Sequence, residues 1–155
     1  MANAIEERLA ALGLSLPEAA APAANYVPFT VSGGIVHISG QLPMEGGKVA
    51  VTGKLGAGVS LEQGQEAAKL CALNLLAQLR RACDGDLSRV KACLKLGGFV
   101  ACDPSFSDQP KTINGASDLM VAVLGDAGRH ARFAVGVASL PFDAAVEVDG
   151  TFEIA

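Results

Sequence analysis

The chain has 155 residues, half of them hydrophobic, and 12 basic against 16 acidic side chains give a formal net charge of −4. This length fits one globular domain, and the scattered basic residues give no footprint for nucleic acid. No stretch approaches the roughly 18 to 20 apolar residues of a membrane span, and two glutamates near the N-terminus argue against a signal peptide. We therefore expect a cytoplasmic protein that binds neither nucleic acid nor membrane.

The cysteines do not have the spacing of a metal site. Cys71, Cys83, Cys93 and Cys102 lie 12, 10 and 9 positions apart, without a CxxC pair, and the chain has only two histidines. Zinc sites use closely spaced pairs of such ligands. We expect reduced and mostly buried thiols, no metal and no cofactor.

The N-terminal segment predicts a short helix followed by a connector. Ile5, Leu9 and Leu12 recur at helical spacing and Gly13 follows as a C-terminal cap, which indicates a helix over residues 3–12. A segment rich in proline and alanine follows and cannot continue the helix. We divide the chain into an N-terminal helix and connector at 1–24 and a domain at 25–155.

Strands are expected next. Gly33 and Gly34 separate two alternating segments, which predicts a hairpin with strands at 28–32 and 35–39. The glycine-bounded stretch GGKVAVTGKLG predicts a third short strand. Ser60 and Gln63 form a capping box before an apolar stripe, which indicates a helix over 61–82.

The second half continues with one strand, one helix and two further strands. Residues 87–102 predict a long strand with a bulge at Gly97 and Gly98, and a helix is expected from Pro110 to Gly125. The last 26 residues predict a hairpin, two neighbouring strands around a Leu-Pro corner. The order favours an α+β domain, a mixed sheet with helices packed on one face.

Alternation in the last two strands predicts one apolar face and one mixed face. Counting in twos groups Arg132 with Ala134, Gly136 and Ala138, and we expect this group to share the mixed face with Glu147 and Asp149. Small residues permit close approach of another chain. The uncovered face of the sheet is therefore expected to be buried by partner copies.

Three stretches resemble the YjgF/RidA family, which is also called endoribonuclease L-PSP. They are NYVPFTVSGGIVHISGQLP, INGASDLM and ARFAVGVASLPFDAAVEVD, in the family's order, and the match covers about residues 25–155. The N-terminal helix resembles a longer subgroup. The resemblance implies a chorismate-mutase-like fold and a homotrimer with sites in clefts between subunits.

The resemblance also implies an activity. Family deaminases hydrolyse reactive enamines and imines, such as 2-aminoacrylate, to ketoacids and ammonia without a cofactor. The substrate is thus expected to be a small carboxylate-bearing metabolite. The alternative is a non-catalytic trimer that binds a ketoacid, and a ribonuclease or translation inhibitor is a third, weaker interpretation because the chain is acidic.

Two residues would carry the main chemistry. Arg132 matches the family arginine that grips the substrate carboxylate, for which its planar fork is suited. The alternative is a structural ion pair with Glu147 or Asp149. Asp149 matches a family glutamate that is thought to orient water, and its side chain is one methylene shorter than that glutamate. The alternative role of Asp149 is that of a carboxylate exposed to solvent or lying at an interface.

Further positions match family residues around the ligand. Tyr26 is expected to close over the ligand, unless it is a buried core residue. Ser39 and Gly40 match positions that meet the ligand, and a glycine permits close approach. The remaining matches are Glu147, a second acid, and Asn114, whose alternative role is hydrogen bonding at a helix start. Ala134 stands where many deaminases carry cysteine, and His130 is a candidate for the rim.

Overall fold

A computed structural model describes residues 3–21 and 24–155. The helices are α1 (Ala4–Ala11), α2 (Leu61–Ala82) and α3 (Gln109–Leu124). The strands are β1 (Phe29–Ser32), β2 (Ile35–Gln41), β3 (Met44–Glu45), β4 (Lys48–Val49), β5 (Lys54–Leu55), β6 (Gly58–Val59), β7 (Val90–Ala101), β8 (Ala131–Val137) and β9 (Val146–Ile154).

Five strands form the main sheet, in the order β1-β2-β9-β7-β8. β7 and β8 are parallel, and the other neighbours are antiparallel. This mixed sheet confirms the expected α+β class. The segment predicted to hold a third short strand contains two short strands, β4 and β5, which join small separate pairs and not the main sheet. Its glycines take backbone conformations that interrupt an extended run.

The helices cover one face of the sheet, and the core lies between these two layers. The capping box at the start of α2 is present, with Ser60 Oγ accepting from the N–H of Gln63 at 3.1 Å. The largest fully buried core side chains include Leu75, Leu76, Leu79, Leu96, Ile113, Met120 and Phe152. α1 joins the same core through Ile5 and Leu9. Each such side chain contributes about 1.5 to 3 kcal/mol through burial.

The last two strands are not neighbours, which corrects the predicted arrangement. β7 lies between them, parallel to β8 and antiparallel to β9. Leu96 of β7 stands opposite both Arg132 and Gly150. Arg132 therefore shares the helix-covered face with Gly150. Asp149, one residue earlier in β9, points to the opposite face, because side chains alternate along a strand.

The prediction that Arg132 shares a mixed face with Glu147 and Asp149 is thus wrong. Ala134 packs against the core, and a Cβ at Gly136 would lie 2.7 Å from Cys102 Sγ, so these two small residues of β8 face the helix-covered side of the sheet. The sequence pattern of β8 did not indicate which face the helices cover. The residues on the helix-covered face are small or charged, whereas those on the other face, such as Phe133 and Val135, are large and apolar.

Gly97 and Gly98 do not form a bulge, and the pairing of β7 with β9 is regular there. The irregularities lie earlier, at Val90/Ala92 and Cys93/Lys95. The two glycines make room on opposite faces. A Cβ at Gly97 would lie 2.6 Å from the Phe133 ring, and one at Gly98 would lie 2.7 Å from Cδ1 of Ile113 in α3.

The other face of the sheet, which we call the open face, is covered by none of the three helices α1, α2 and α3 of the described residues. Its aromatic pair is Phe99 and Phe133, with ring centroids 5.3 Å apart in an edge-to-face arrangement. Lys95 Nζ lies 5.7 Å from the centroid of Phe133. Glu147 and Asp149 lie on this face in β9, where both are half-buried, and alternation along the strand places Glu153 on it too. The open face therefore combines apolar surface with charged side chains.

Candidate functional site

Arg132 is held against α3 by three hydrogen bonds. Its Nη1 donates to Asn114 Oδ1 at 2.9 Å and to Ser117 Oγ at 3.1 Å, and its Nη2 donates to the carbonyl of Pro110 at 3.2 Å. A guanidinium has five N–H donors. Two donors, the Nε hydrogen and one Nη2 hydrogen, have no partner among the described residues. Bidentate pairing with a carboxylate uses two N–H donors.

No carboxylate within the described residues neutralises Arg132. The four ion pairs there join other residues, and Glu147 and Asp149 lie on the opposite face of the sheet. The alternative of a structural ion pair with either acid is therefore excluded within one chain. A half-buried arginine that is oriented but not neutralised is suited to an external anion.

Ser117 and His130 complete the surroundings of Arg132. The Ser117 Oγ lies 2.8 Å from His130 Nε2, and His130 Nδ1 lies 2.6 Å from the carbonyl oxygen of Gly128. We refer to Arg132, Asn114, Ser117 and His130 as the arginine cluster. Sequence reasoning missed Ser117, although its position three residues after Asn114 places both on one side of α3.

Tyr26, Ser39 and Gly40 line a cleft of about 610 Å³ at the other edge of the sheet. Tyr26 is 49% exposed, which excludes a buried core role within one chain. Ser39 and Gly40 lie where the pairing of β2 with β9 shifts between Ile38 and Gln41. The remaining walls are largely apolar and include Leu42, Met44, Val49 and Phe142.

Phe142 reaches this cleft from the corner between β8 and β9. It is 69% exposed, and both Phe142 and Asp143 have positive φ angles, 56° and 59°. For residues other than glycine this conformation costs of order 1 to 3 kcal/mol each. The corner is held by a hydrogen bond from the N–H of Gly53 to the carbonyl of Asp143 at 2.9 Å.

Glu147 lies beside the cleft and Asp149 does not. The carboxylate of Glu147 occupies the space that a Cβ on Gly40 would need, whereas that of Asp149 lies against Gly97. Burial raises the pKa of Glu147, and the charge of Asp149 raises it further. Burial also raises the pKa of Asp149, against the opposing effects of the Gly97 N–H and Lys95.

One chain does not unite the cleft with the arginine cluster. Ile38, Gly150, Leu96 and Arg132 form a row across four strands of the sheet. Three strand spacings correspond to about 14 Å. A small metabolite bound at Arg132 therefore cannot also contact Ser39 of the same chain.

Comparisons with known proteins define the family and the fold of this chain. A family model described as "YjgF/chorismate mutase-like, putative endoribonuclease" matches residues 6–150. The chain belongs to the YjgF/RidA family and has its chorismate-mutase-like fold.

Individual relatives extend the match. Protein TCP17 of Trypanosoma cruzi is 51% identical over 97% of this chain and 94% of its own. The crystal structure of Atu1372, of unknown function, from Agrobacterium tumefaciens is 56% identical with a TM-score of 0.93, covering 98% of this chain and 93% of that one. The YjgF gene product of E. coli is 24% identical with a TM-score of 0.60, covering 86% and 92%, and shows likeness of fold alone.

The described residues contain no group of three or more His, Cys, Asp or Glu side chains arranged to hold a metal ion. Within residues 3–21 and 24–155, no helix combines the length and apolar character that crossing a bilayer requires.

Proposed function

We propose that this protein hydrolyses small imines and enamines that carry a carboxylate, giving ketoacids and ammonia. The observation that carries the proposal is Arg132, held by Asn114, Ser117 and the Pro110 carbonyl, with two donors free and no acidic partner among the described residues. Charge-assisted bidentate bonds favour carboxylate-bearing substrates over neutral imines.

The active unit is a homotrimer, as the family resemblance implies. The cleft and the arginine cluster occupy opposite edges of the main sheet, so a ring of copies can bring the β8 edge of one chain to the cleft of the next. Tyr26, Ser39 and Gly40 of one copy then face Arg132 and Asn114 of its neighbour. The open face supplies the surface that partner copies cover.

The chemistry requires water and proton transfer. An enamine first gains a proton at carbon and loses one from nitrogen to become an imine, and water then adds across the C=N bond. The resulting carbinolamine transfers its hydroxyl proton to nitrogen as the C–N bond breaks, which releases ammonia and the ketoacid. Glu147 is the better placed acid to orient this water, because it adjoins Gly40 in the cleft. Its raised pKa brings its proton exchange closer to neutral pH, which assists general acid-base catalysis.

Asp149 is the residue that the resemblance matches to the water-orienting acid, but its surroundings differ from those of Glu147. It lies against Gly97 and Phe133 on the open face, away from the residues that line the cleft. We assign it to the surface between copies, where its shorter side chain does not affect the chemistry. Tyr26, which lines the cleft, covers the bound substrate.

A non-catalytic ketoacid-binding trimer is the second candidate. It is favoured by the absence of any carboxylate paired with Arg132 among the described residues, because anion capture needs the arginine alone. A ribonuclease is less supported, since the net charge of −4 repels a polyanion.

The test is a coupled assay in which an amino-acid oxidase supplies imines and ketoacid release is followed with and without the protein. We expect acceleration by wild type, none by Arg132→Ala, and little by Arg132→Lys, which lacks the fork. Arg129→Ala is the matched control, because Arg129 pairs with Asp126 at the surface. Ketoacid binding without acceleration would support the second candidate, and unchanged acceleration by Arg132→Ala would refute the anchor.

A further inference from the structure

Ser117 makes two hydrogen bonds with its hydroxyl group, one with Arg132 and one with His130. Arg132 Nη1 donates to Ser117 Oγ at 3.1 Å, so the serine oxygen accepts there. The same oxygen lies 2.8 Å from His130 Nε2. Whether the hydroxyl hydrogen points toward the histidine depends on which imidazole nitrogen carries the proton.

The backbone of Gly128 decides the tautomer of His130. Its carbonyl oxygen lies 2.6 Å from Nδ1 and can only accept, so Nδ1 carries the proton. In neutral imidazole Nε2 is then an acceptor, and Ser117 donates its hydroxyl hydrogen to it. The lone pairs of Ser117 are therefore available to Arg132. The guanidinium donates to Ser117, and Ser117 in turn donates to His130.

We propose that Ser117 and His130 are positioning residues that orient the Arg132 guanidinium for anion capture. His130 orients the Ser117 hydroxyl by accepting its hydrogen, and Ser117 orients the guanidinium by accepting a hydrogen bond from Nη1. Asn114 holds the same nitrogen from a second side, so both hydrogens of Nη1 are committed and the free donors stay directed at the ligand. The inference rests on the proposed role of Arg132 as the carboxylate anchor.

Conservative and disruptive substitutions separate orientation from packing. Ser117→Ala removes the hydroxyl, whereas Ser117→Thr retains it. His130→Asn can still donate to the Gly128 carbonyl, but its shorter side chain does not reach Ser117. His130→Gln places an amide oxygen near the position of Nε2. Asp118→Ala is the matched control on α3, because Asp118 is exposed and lines a separate groove toward α1 and α2.

Affinity for 2-ketobutyrate, measured by calorimetry, tests the role of the pair. We expect Ser117→Ala to bind about tenfold more weakly, which corresponds to about 1.4 kcal/mol, and His130→Asn to weaken binding in the same direction. Ser117→Thr and His130→Gln should recover most of the loss, and melting temperatures should change little. The Ser117→Ala/His130→Asn double variant should lose no more than Ser117→Ala, because the two residues act as one unit.

Long-range ¹H–¹⁵N spectra give a readout that needs no ligand. The chain has two histidines, so His37→Gln assigns the signals of His130. We expect protonated Nδ1 and unprotonated Nε2 in the neutral ring. A proton on Nε2 would overturn the inference, even if the His130 variants do not fold.

Failure of the inference is distinguishable from failure of the proposed function. Wild-type binding together with unchanged affinity in Ser117→Ala overturns the positioning role alone. A folded wild type that binds no 2-ketobutyrate overturns the anchor role of Arg132, and the inference with it.

Discussion

Asp149 and Gly97 stand opposite each other on β9 and β7, and the Asp149 carboxylate occupies the space that a side chain at Gly97 would fill. The ring of Phe133 closes the same space from β8. In the same way, the Glu147 carboxylate occupies the space that a side chain at Gly40 would fill, beside the cleft. Two glycines thus allow two acids to lie flat on the open face, where burial raises the pKa of each.

Gly97→Ala should destabilise the protein more than Gly40→Ala. At Gly97 the new methyl meets the Phe133 ring at 2.6 Å, and the ring is held by its edge-to-face contact with Phe99. Overpacking of this kind costs about 1 to 3 kcal/mol. At Gly40 the nearest contacts all belong to the flexible Glu147 side chain, which can move aside. Urea unfolding of both variants measures the difference.

In the imine assay we expect Gly40→Ala to lower the rate of hydrolysis more than Gly97→Ala, the reverse of their order in stability. Gly40→Ala displaces the Glu147 carboxylate from its position beside the cleft and should lower the rate, whereas Gly97→Ala leaves Glu147 and Gly40 in place. Equal losses of stability in both variants would contradict the packing argument.

Glu147→Gln should stabilise the protein at pH 7.5 more than at pH 4. The folded state raises the pKa of Glu147, so its stabilising contribution is fully present below the unfolded pKa and is lost as pH rises through the folded pKa. The amide removes that loss. Melting temperatures of wild type and Glu147→Gln across this range should diverge as pH rises.

Glu153→Gln is the matched control for this pH effect. Glu153 lies on the same strand and pairs with Lys91 at the surface at 3.8 Å, so the same substitution there removes a carboxylate that is not held beside Gly40 and Asp149. A Glu147→Gln curve that stays parallel to wild type would show that burial does not penalise this carboxylate.

Sequence patterns predicted the elements well where local signals decide them. The capping box fixed the start of α2 at Leu61, and the glycine pair fixed the β1–β2 turn. The facing of β8 was not predictable from alternation, because Arg132 lies on the helix-covered side while Phe133 and Val135 lie on the open face. The deciding fact, the register of Arg132 with Leu96, is a long-range contact.

The roles of the candidate site residues stay predictions, because the resemblance placed the site between subunits. Within one chain, Arg132 is hydrogen-bonded to Asn114, whereas Tyr26 and Ser39 lie at the far edge of the sheet. The part played by Ser117 depends on a bond to His130, 13 positions away, and no local pattern encodes it.

Cys71 and Cys93 should resist thiol reagents until the protein unfolds. Both are buried, burial raises the pKa of Cys93 to about 12, and the pKa of Cys71 is also raised by burial. The thiolate is the reactive form, so native labelling at pH 8 should be slow. Mass spectrometry after timed labelling, with and without denaturant, locates the modified residues.

The control for this labelling is Leu94→Cys, next to Cys93 on the same strand. Leu94 is 38% exposed, so a thiol there should react in the native state. Rapid native modification of Cys93 itself would mean that β7 opens without global unfolding.

Val135→Asp should prevent assembly while leaving the chain folded. Val135 is 43% exposed and stands opposite Phe99 on the open face, which the proposed trimer covers. A carboxylate buried there without a partner would cost several kcal/mol at each interface. Light scattering of wild type should give three times the 15.7 kDa of one chain, and Val135→Asp should give the monomer mass.

Leu12→Asp supplies the matched control for this assembly experiment. Leu12 is 51% exposed but follows α1 on the helix side of the molecule, so the same change should leave the trimer intact. Circular dichroism establishes that both variants are folded. A folded trimer in Val135→Asp would place the interface elsewhere than on the open face, and a monomeric wild type would refute the trimer itself. Loss of imine hydrolysis in the folded monomer would show that the site needs the β8 edge of one copy and the cleft of another.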